Sequence, residues 1–207
     1  MGDCLMAITI NGTGTITGLT AGGLPDGSIT TDDLAANAVT AAKLAAGAGG
    51  KILQVQTTGS ITSTPSTTSQ ESFGDISGFS VNITPAATSS KVLVIVNLGR
   101  VGCNFAGGRI TAFRLMRDST AINVGTVSQD RFLTSFVHAQ PDPYYTGGIT
   151  YTFLDSPSTT SQVTYKLQFS GQNGEIHYIN RGGADDNNSD APNSRAASSM
   201  TVMEVGA

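Results

Sequence analysis

Along most of the second part of the chain, hydrophobic and polar residues alternate one by one, which is the pattern of half-buried β-strands. GFSVNIT, residues 78–84, and VTYKLQF, residues 163–169, each place their apolar side chains on one face. KVLVIVNL, residues 91–98, is apolar on both faces, which predicts a central strand or one at a subunit contact. Further strands are predicted in KILQVQT, RITAFRLMRD, AINVG, RFLTSFVH, ITYTFL, EIHYIN and SSMTVMEV.

These strand patterns follow one another without a convincing long helix between them. Roughly eight to ten antiparallel strands over about 150 residues fit a jelly roll, in which two sheets fold together and leave few exposed edges. The sequence therefore predicts a mainly β protein in which residues 51–207 form a head, an antiparallel jelly-roll β-sandwich.

A ten-residue unit precedes the head and is written twice, as ITTDDLAANA and VTAAKLAAGA. Its large apolar residues recur at every fifth position, which suits neither a helix stripe nor a strand face. A single copy cannot bury enough surface to offset an ordering cost of about 1–2 kcal/mol per residue, whereas parallel copies around an axis could. We predict that residues 29–50 form a short threefold stalk with a helical turn in each unit. The predicted stalk contacts are Ile29, Leu34, Val39 and Leu44.

Residues 1–28 are rich in Gly and Thr and nearly free of charge. Their β-like fragments are kept short by glycine, so this segment has no core of its own and is expected to become ordered against a partner. The apolar residues predicted to anchor it are Ile8, Ile10, Ile16, Leu19 and Leu24.

Composition narrows the classes of function. Only 13% of the residues are charged, against about 25% in a typical soluble domain. The net charge is −4 and the eleven basic residues are scattered, which argues against nucleic-acid binding. No apolar run approaches the ~20 residues of a membrane span, and the N-terminus lacks the features of a signal peptide. Cys4 and Cys103 lie far apart and are expected to be free thiols.

Catalysis has little support, because neither histidine lies near a Ser, Cys or acid at a recognisable catalytic spacing. His138 and His177 both lie in strand patterns, where a histidine usually makes only local hydrogen bonds. One histidine from each copy, grouped around a trimer axis to hold a metal, is the alternative. The Gly-rich stretches lack the strand-then-helix context of a dinucleotide loop. We therefore expect no enzyme activity, no catalytic residue, no metal and no cofactor.

Two polar loops are the candidate binding sites. GGADDNNSDAPNS, residues 182–194, gathers carboxylates and amides that could contact a receptor or sugar, hold Ca²⁺, or simply be solvated. HAQPDPYYTGG, residues 138–148, carries two tyrosines of the kind enriched in recognition surfaces, although one could be buried beneath the next strand. The receptor-binding candidates are Asp142, Tyr144, Tyr145, Asp185, Asp186, Asn187 and Asn188.

Two stretches of this chain resemble fibre proteins of tailed bacteriophages. GSITTDDLAANAVTAAKLAAGAGGKILQV resembles their stalk-to-head junctions, and LDSPSTTSQVTYKLQF with SRAASSMTVMEVGA resembles the end of their heads. The resemblance covers about residues 12–60 and 150–205. It implies a homotrimeric virion fibre, in which residues 1–28 bind another virion protein and the head is a jelly roll of the C1q and tumour necrosis factor kind.

The function implied by this resemblance is host attachment by a short tail or baseplate fibre, made in the host cytoplasm and carried on the virion. Its head would bind a cell-surface glycan or protein, and several weak sites together would raise avidity by about 10²–10⁴. Because the stalk is very short, a capsid head fibre or decoration protein with a purely structural role is the alternative. A secreted C1q-like lectin is a weaker third reading, disfavoured by the missing signal peptide.

Overall fold

The computed structural model divides into two compact units, residues 1–49 and 50–207. The structure describes residues 9–10, 16–17, 29–36, 38–40, 43, 51–68, 70, 72–105, 107–126, 129–130, 132–142, 146–187, 189–190 and 193–206. No helix among these residues has the length and hydropathy needed to cross a membrane.

The first unit contains a short hairpin and a helical turn. Strands β1 (Thr9–Ile10) and β2 (Ile16–Thr17) pair antiparallel. A 3₁₀ turn follows at Thr31–Asp33, so the helical turn predicted for the first ten-residue unit is confirmed. The Asp33 carboxylate accepts hydrogen bonds from the N–H and the hydroxyl of Thr30 at 2.8 and 2.7 Å. These bonds cap the turn and lower the pKa of Asp33.

The same backbone hydrogen bond occurs in both ten-residue units. The N–H of Asp33 donates to the carbonyl of Thr30 at 3.2 Å, and the N–H of Lys43 donates to the carbonyl of Thr40 at 2.9 Å. These residues occupy equivalent positions, so the sequence repeat is also a repeat of local structure.

The second unit is built from antiparallel strands, which confirms the predicted mainly β fold. They are β3 (Ile52–Thr57), β4 (Ser66–Thr67), β5 (Gly74–Ile83), β6 (Lys91–Cys103), β7 (Arg109–Arg117), β8 (Thr120–Ile122), β9 (Phe136–Gln140), β10 (Gly147–Asp155), β11 (Val163–Ser170), β12 (His177–Ile179) and β13 (Ser199–Val205).

The strands form two sheets. In the first sheet the order is β3-β13-β6-β10. On the same side of β6 as β13, strand β12 pairs with the last residues of β6, and β4 pairs with β12. In the second sheet the order is β5-β11-β7, with β8 and β9 both paired to β7. Consecutive long strands alternate between the sheets, except that β7 and β9 share one, so nearly every long loop crosses from one sheet to the other.

The core lies between the two sheets and is formed by the inward side chains of their strands. In β6, Val92, Val94, Val96 and Leu98 are fully buried, and Phe79 of β5 packs in the same cluster. Burial of each such side chain contributes about 1.5–3 kcal/mol relative to exposure. The alternation read from the sequence therefore assigned the inward faces of these strands correctly.

An apolar row crosses the outer face of the first sheet. Val55 of β3 pairs with Met203 of β13, Met203 with Leu93 of β6, and Leu93 with Leu154 of β10. Partners in antiparallel strands point to the same side, so these four residues form one continuous line across four strands. Val55 and Leu154 are 51% and 45% exposed. We call these four residues the apolar row.

Candidate functional site

The two ends of the sandwich carry different structures. At one end Val205 pairs with both Ile52 and Lys91, and the N–H of Gly206 donates to the carbonyl of Lys51 at 2.7 Å. The head therefore begins and finishes at the same end. The thirteen residues of β6 run from there over about 40 Å to the opposite end, at ~3.3 Å per residue. We call that opposite end the distal end. The loops after β6, β9 and β11 lie there, and the loop after β12 starts beside Arg100, three residues before the end of β6.

A buried arginine joins the two loops that the sequence singled out. Arg100, 7% exposed, donates from Nε to the hydroxyl of Thr146, which lies in residues 138–148, the tyrosine loop. Its Nη1 donates to the carbonyl and the hydroxyl of Ser194, the last residue of the acidic loop, at 2.7 and 2.9 Å. Burial lowers the pKa of the Arg100 guanidinium. Both candidate loops are thus brought together at the distal end and held by one side chain.

In the acidic loop, Asp185 is engaged within the protein. Its Oδ2 lies 3.0 Å from Arg181 Nη1 and 2.5 Å from Arg195 Nη2, and the Arg181 guanidinium stacks 4.1 Å from the centre of the Tyr178 ring. Asp185 therefore shapes the loop, and a direct receptor contact by this carboxylate would compete with two arginines.

The other acidic-loop candidates are partly described. Asp186 and Asn187 are exposed, and the backbone N–H of Asp186 donates to Asn193 Oδ1 at 3.1 Å. Asn188 lies outside the described residues. No group of three or more His, Cys, Asp or Glu that could hold a metal ion is found in the part of the chain that the structure describes.

The tyrosine loop is described only at its two ends. Asp142 is half-buried and Thr146 bonds Arg100, whereas Tyr144 and Tyr145 lie outside the described residues. The recognition role predicted for this pair therefore stays a prediction.

His177 fastens the loop between β11 and β12 and is fully buried. The backbone N–H of Gln172 donates to its Nε2 at 3.0 Å, so Nδ1 carries the proton and donates to the Thr111 hydroxyl at 2.7 Å. Burial lowers the pKa of His177, and the charge of Arg109 lowers it further. A Cβ on Gly171 would lie 2.5 Å from the imidazole, so only glycine fits there. Both ring nitrogens are engaged with neutral partners, an arrangement that positions a loop and offers no proton-transfer partner.

Burial shifts the pKa of two further side chains. Burial lowers the pKa of His138, and burial raises the pKa of the Cys103 thiol. A raised thiol pKa disfavours the thiolate, which is the nucleophilic form of cysteine. Cys103 is a free, buried cysteine, as the sequence suggested.

Two adjoining cavities open beside this network, with volumes of about 260 and 360 Å³. Both are lined by Ile110 and Gln172, so together they form one groove at the distal end of the second sheet. Arg109 and Gln140 line the larger cavity, and each has a buried polar atom, Nε and Oε1, without a hydrogen-bond partner among the described residues. An unsatisfied buried polar group costs about 1–3 kcal/mol, so these two atoms require an explanation.

The residues predicted for the stalk and the anchor belong to the first unit. Ile29, Leu34 and Val39 are about half exposed in the single chain. Leu44, Ile8, Leu19 and Leu24 lie outside the described residues. Ile10 and Ile16 are paired across the β1–β2 hairpin. The threefold contacts and the anchoring role therefore stay predictions.

Sequence reasoning missed the residues that organise the distal end. Arg100 lies near the end of β6 without a neighbouring acid in the sequence, and its partners Thr146 and Ser194 are 46 and 94 positions away. Gln172 sits in a polar turn, SGQNG, which resembles many solvent-exposed turns. The only local signal was the histidine at the start of β12, which the sequence could not connect to Thr111.

No protein-family model matches the chain, and no curated protein matches it. Among solved structures, the chain is similar to one in the structure of infectious bursal disease virus, Gx strain, with 13% sequence identity and a TM-score of 0.30. The match covers 76% of this chain and 38% of that chain, so this chain spans well under half of its length. At this TM-score the similarity carries no argument about function.

Proposed function

We propose that this chain is a structural protein of a phage virion, a short trimeric tail or baseplate fibre whose β head binds the host surface. The observation that carries the proposal is the polarity of the head. The chain enters and leaves the sandwich at one end, while Arg100 gathers the polar loops at the other. A head attached by one end and presenting loops at the opposite end has the geometry of a display module.

The order of the long strands supports a jelly-roll head. Without the short strands β4, β8 and β12, eight strands remain, and they can be numbered one to eight along the chain. The first sheet then has the order one, eight, three, six, and the second sheet has the order two, seven, four, five. Eight strands in two sheets with such crossings are the arrangement of a jelly roll. It agrees with the head implied by the resemblance to phage fibres.

The apolar row supports self-association. Soluble proteins leave scattered apolar residues on the surface, but a continuous line across four strands is typical of a surface that another chain covers. The exposed Ile29, Leu34 and Val39 of the repeat add a second such surface. Three copies of the chain would cover both, because each apolar residue then meets its equivalents around an axis.

Adsorption to cells tests the attachment role. The purified full-length chain, carrying a fluorescent label, is mixed with cells of the bacterium in which the phage grows, and bound label is measured after washing. We expect saturable binding that unlabelled chain displaces. Absence of binding by a correctly assembled trimer would contradict host attachment.

The short stalk favours one other function, a capsid head fibre or decoration protein with a purely structural role. The repeat supplies only two units, residues 29–48, too few to project a receptor-binding head far from the particle. Gold-labelled antibody against the head, viewed by electron microscopy on intact particles, separates the two. Label at the tail or baseplate supports the fibre proposal, and label on the capsid supports the alternative.

A further inference from the structure

The distal groove has the lining that saccharides favour. Among the described lining residues none is acidic, and four carry side-chain amides: Gln70, Gln140, Gln172 and Asn173. An amide offers a donor and an acceptor in one plane, which matches neighbouring hydroxyl groups of a sugar ring. The one cation among these described residues, Arg109, lies 3.8 Å from Glu175, so the described lining carries little uncompensated charge.

A flat aromatic side chain forms one wall of the groove. Phe132 lines the smaller cavity and stacks on Phe73 with ring centres 4.6 Å apart. The Arg114 guanidinium lies 3.8 Å from the centre of the Phe73 ring and donates to the carbonyl of Leu133 at 2.9 Å. Phe132 is therefore held in place and can contact the apolar face of a sugar ring.

The amide of Gln172 is oriented before any ligand arrives. Its Oε1 accepts the backbone N–H of Ile110 at 3.0 Å, which leaves its Nε2 hydrogens without a partner among the described residues. Nearby, Arg109 Nε lacks an acceptor and Gln140 Oε1 lacks a donor. A hydroxyl group both accepts and donates, so one class of ligand complements all three groups.

We propose that this groove binds a neutral saccharide of the host surface, an inference that rests on the proposed attachment function. The ligand hydroxyls accept from Gln172 and Arg109, and its apolar ring face packs against Phe132. The groove includes Ala139, Gln140 and Pro141, the start of the tyrosine loop, and none of the described residues of the acidic loop line it. It lies at the same end of the head as both.

Nuclear magnetic resonance on the full-length chain tests the groove. The Ile110 δ1 methyl group reports on it, and the Ile52 δ1 methyl group, at the opposite end, is the control signal. The neutral probes are glucose, galactose, rhamnose and N-acetylglucosamine, and the acidic probe is glucuronate. We expect at least one neutral probe to shift the Ile110 signal with millimolar affinity while the Ile52 signal stays fixed. A response to glucuronate alone, or to none of the probes, would overturn the proposal.

Gln172→Glu keeps the acceptor for the Ile110 N–H and removes the Nε2 donor, so the loop should stay folded. We expect it to weaken saccharide binding about tenfold, the loss of roughly one hydrogen bond. Gln162→Glu makes the same chemical change at the opposite end and should leave binding unchanged.

Cell adsorption of the two variants distinguishes the groove proposal from the attachment proposal. If both variants adsorb equally to cells, the groove proposal is overturned and host attachment stands. If the parent chain binds saccharide but does not adsorb to cells, the groove is supported and host attachment is contradicted.

Discussion

Arg100 shows how one buried cation can hold loops that are distant in sequence. Its guanidinium donates to neutral oxygens of Thr146 and Ser194, so the planar fork supplies several directed bonds at once. These bonds tie the tyrosine loop and the acidic loop to β6.

We expect Arg100→Lys to lower the free energy of unfolding by about 1–3 kcal/mol, because one ammonium group cannot reproduce the fork. Urea denaturation followed by circular dichroism measures this change. Arg195→Lys is the matched control, since its side chain is 52% exposed and an exposed ion pair contributes only about 0–1 kcal/mol. Equal effects of the two substitutions would show that Arg100 does not hold the loops.

His177 makes the stability of the head depend on pH. Its pKa in the folded protein is below the ordinary value of 6.5, so the unfolded chain binds protons more tightly than the folded one. The free energy of unfolding should therefore fall as the pH is lowered below about 6.5, and this contribution levels off below the folded pKa. Urea denaturation between neutral and mildly acidic pH measures it.

The substitution His177→Gln should remove part of this pH dependence. Burial also lowers the pKa of His138, so His138→Gln should remove a further part. If both single variants kept the full slope of the parent protein near pH 6, the histidines would not be its source.

At the scale of the element, the apolar row depends on how neighbouring strands align, whereas the repeated turn depends on local contacts. The apolar row exists because β3, β13, β6 and β10 are in register, and a slip of one residue would turn every side chain to the other face. The repeated turn depends only on residues three apart, Thr30 with Asp33 and Thr40 with Lys43, so it needs no tertiary support.

We expect Leu93→Lys to disrupt self-association, because it places a charge in the middle of the apolar row. Light scattering should then report a smaller particle than for the parent chain. Asn97→Lys is the matched control, since Asn97 lies on the same strand and the same outer face but outside the row. A Leu93→Lys protein with unchanged mass would exclude the row from the interface.

At the scale of the whole molecule, the chain is expected to work as an assembly with a defined direction. The head begins and finishes at one end and has both candidate loops at the other, which suits attachment through residues 1–28 and contact through the distal end. Several copies would then present their loops together and multiply weak individual affinities.

Light scattering of the full-length chain should give the mass of three 21.2 kDa chains. Deleting residues 29–48 should leave the head folded but raise the concentration at which the trimer dissociates by roughly tenfold or more, since the linked stalk contacts are lost. A stable monomer of the full-length chain would contradict the trimer proposal.

The sequence by itself determined the local features of this protein. Alternation with a period of two marked the strands and their inward faces, including Phe79 and Val81, because each side chain's direction follows from its neighbours along the strand. The ten-residue unit predicted a helical turn, and the structure shows that contacts three residues apart, between Thr30 and Asp33, cap it. The apolar residues of the repeat predicted that several copies of the chain associate, and the structure of a single chain does not test this prediction.

Only the tertiary structure decided which strands are neighbours and what their pairing brings together. The order of strands, the alignment of Val55, Met203, Leu93 and Leu154, and the meeting of Arg100 with Ser194 all join residues far apart in sequence. Alternation identifies the face of a strand but not its partner or register, since many pairings would bury the same apolar face. The groove and the arrangement of loops at the distal end therefore depend on how the two sheets pack, which the sequence alone does not specify.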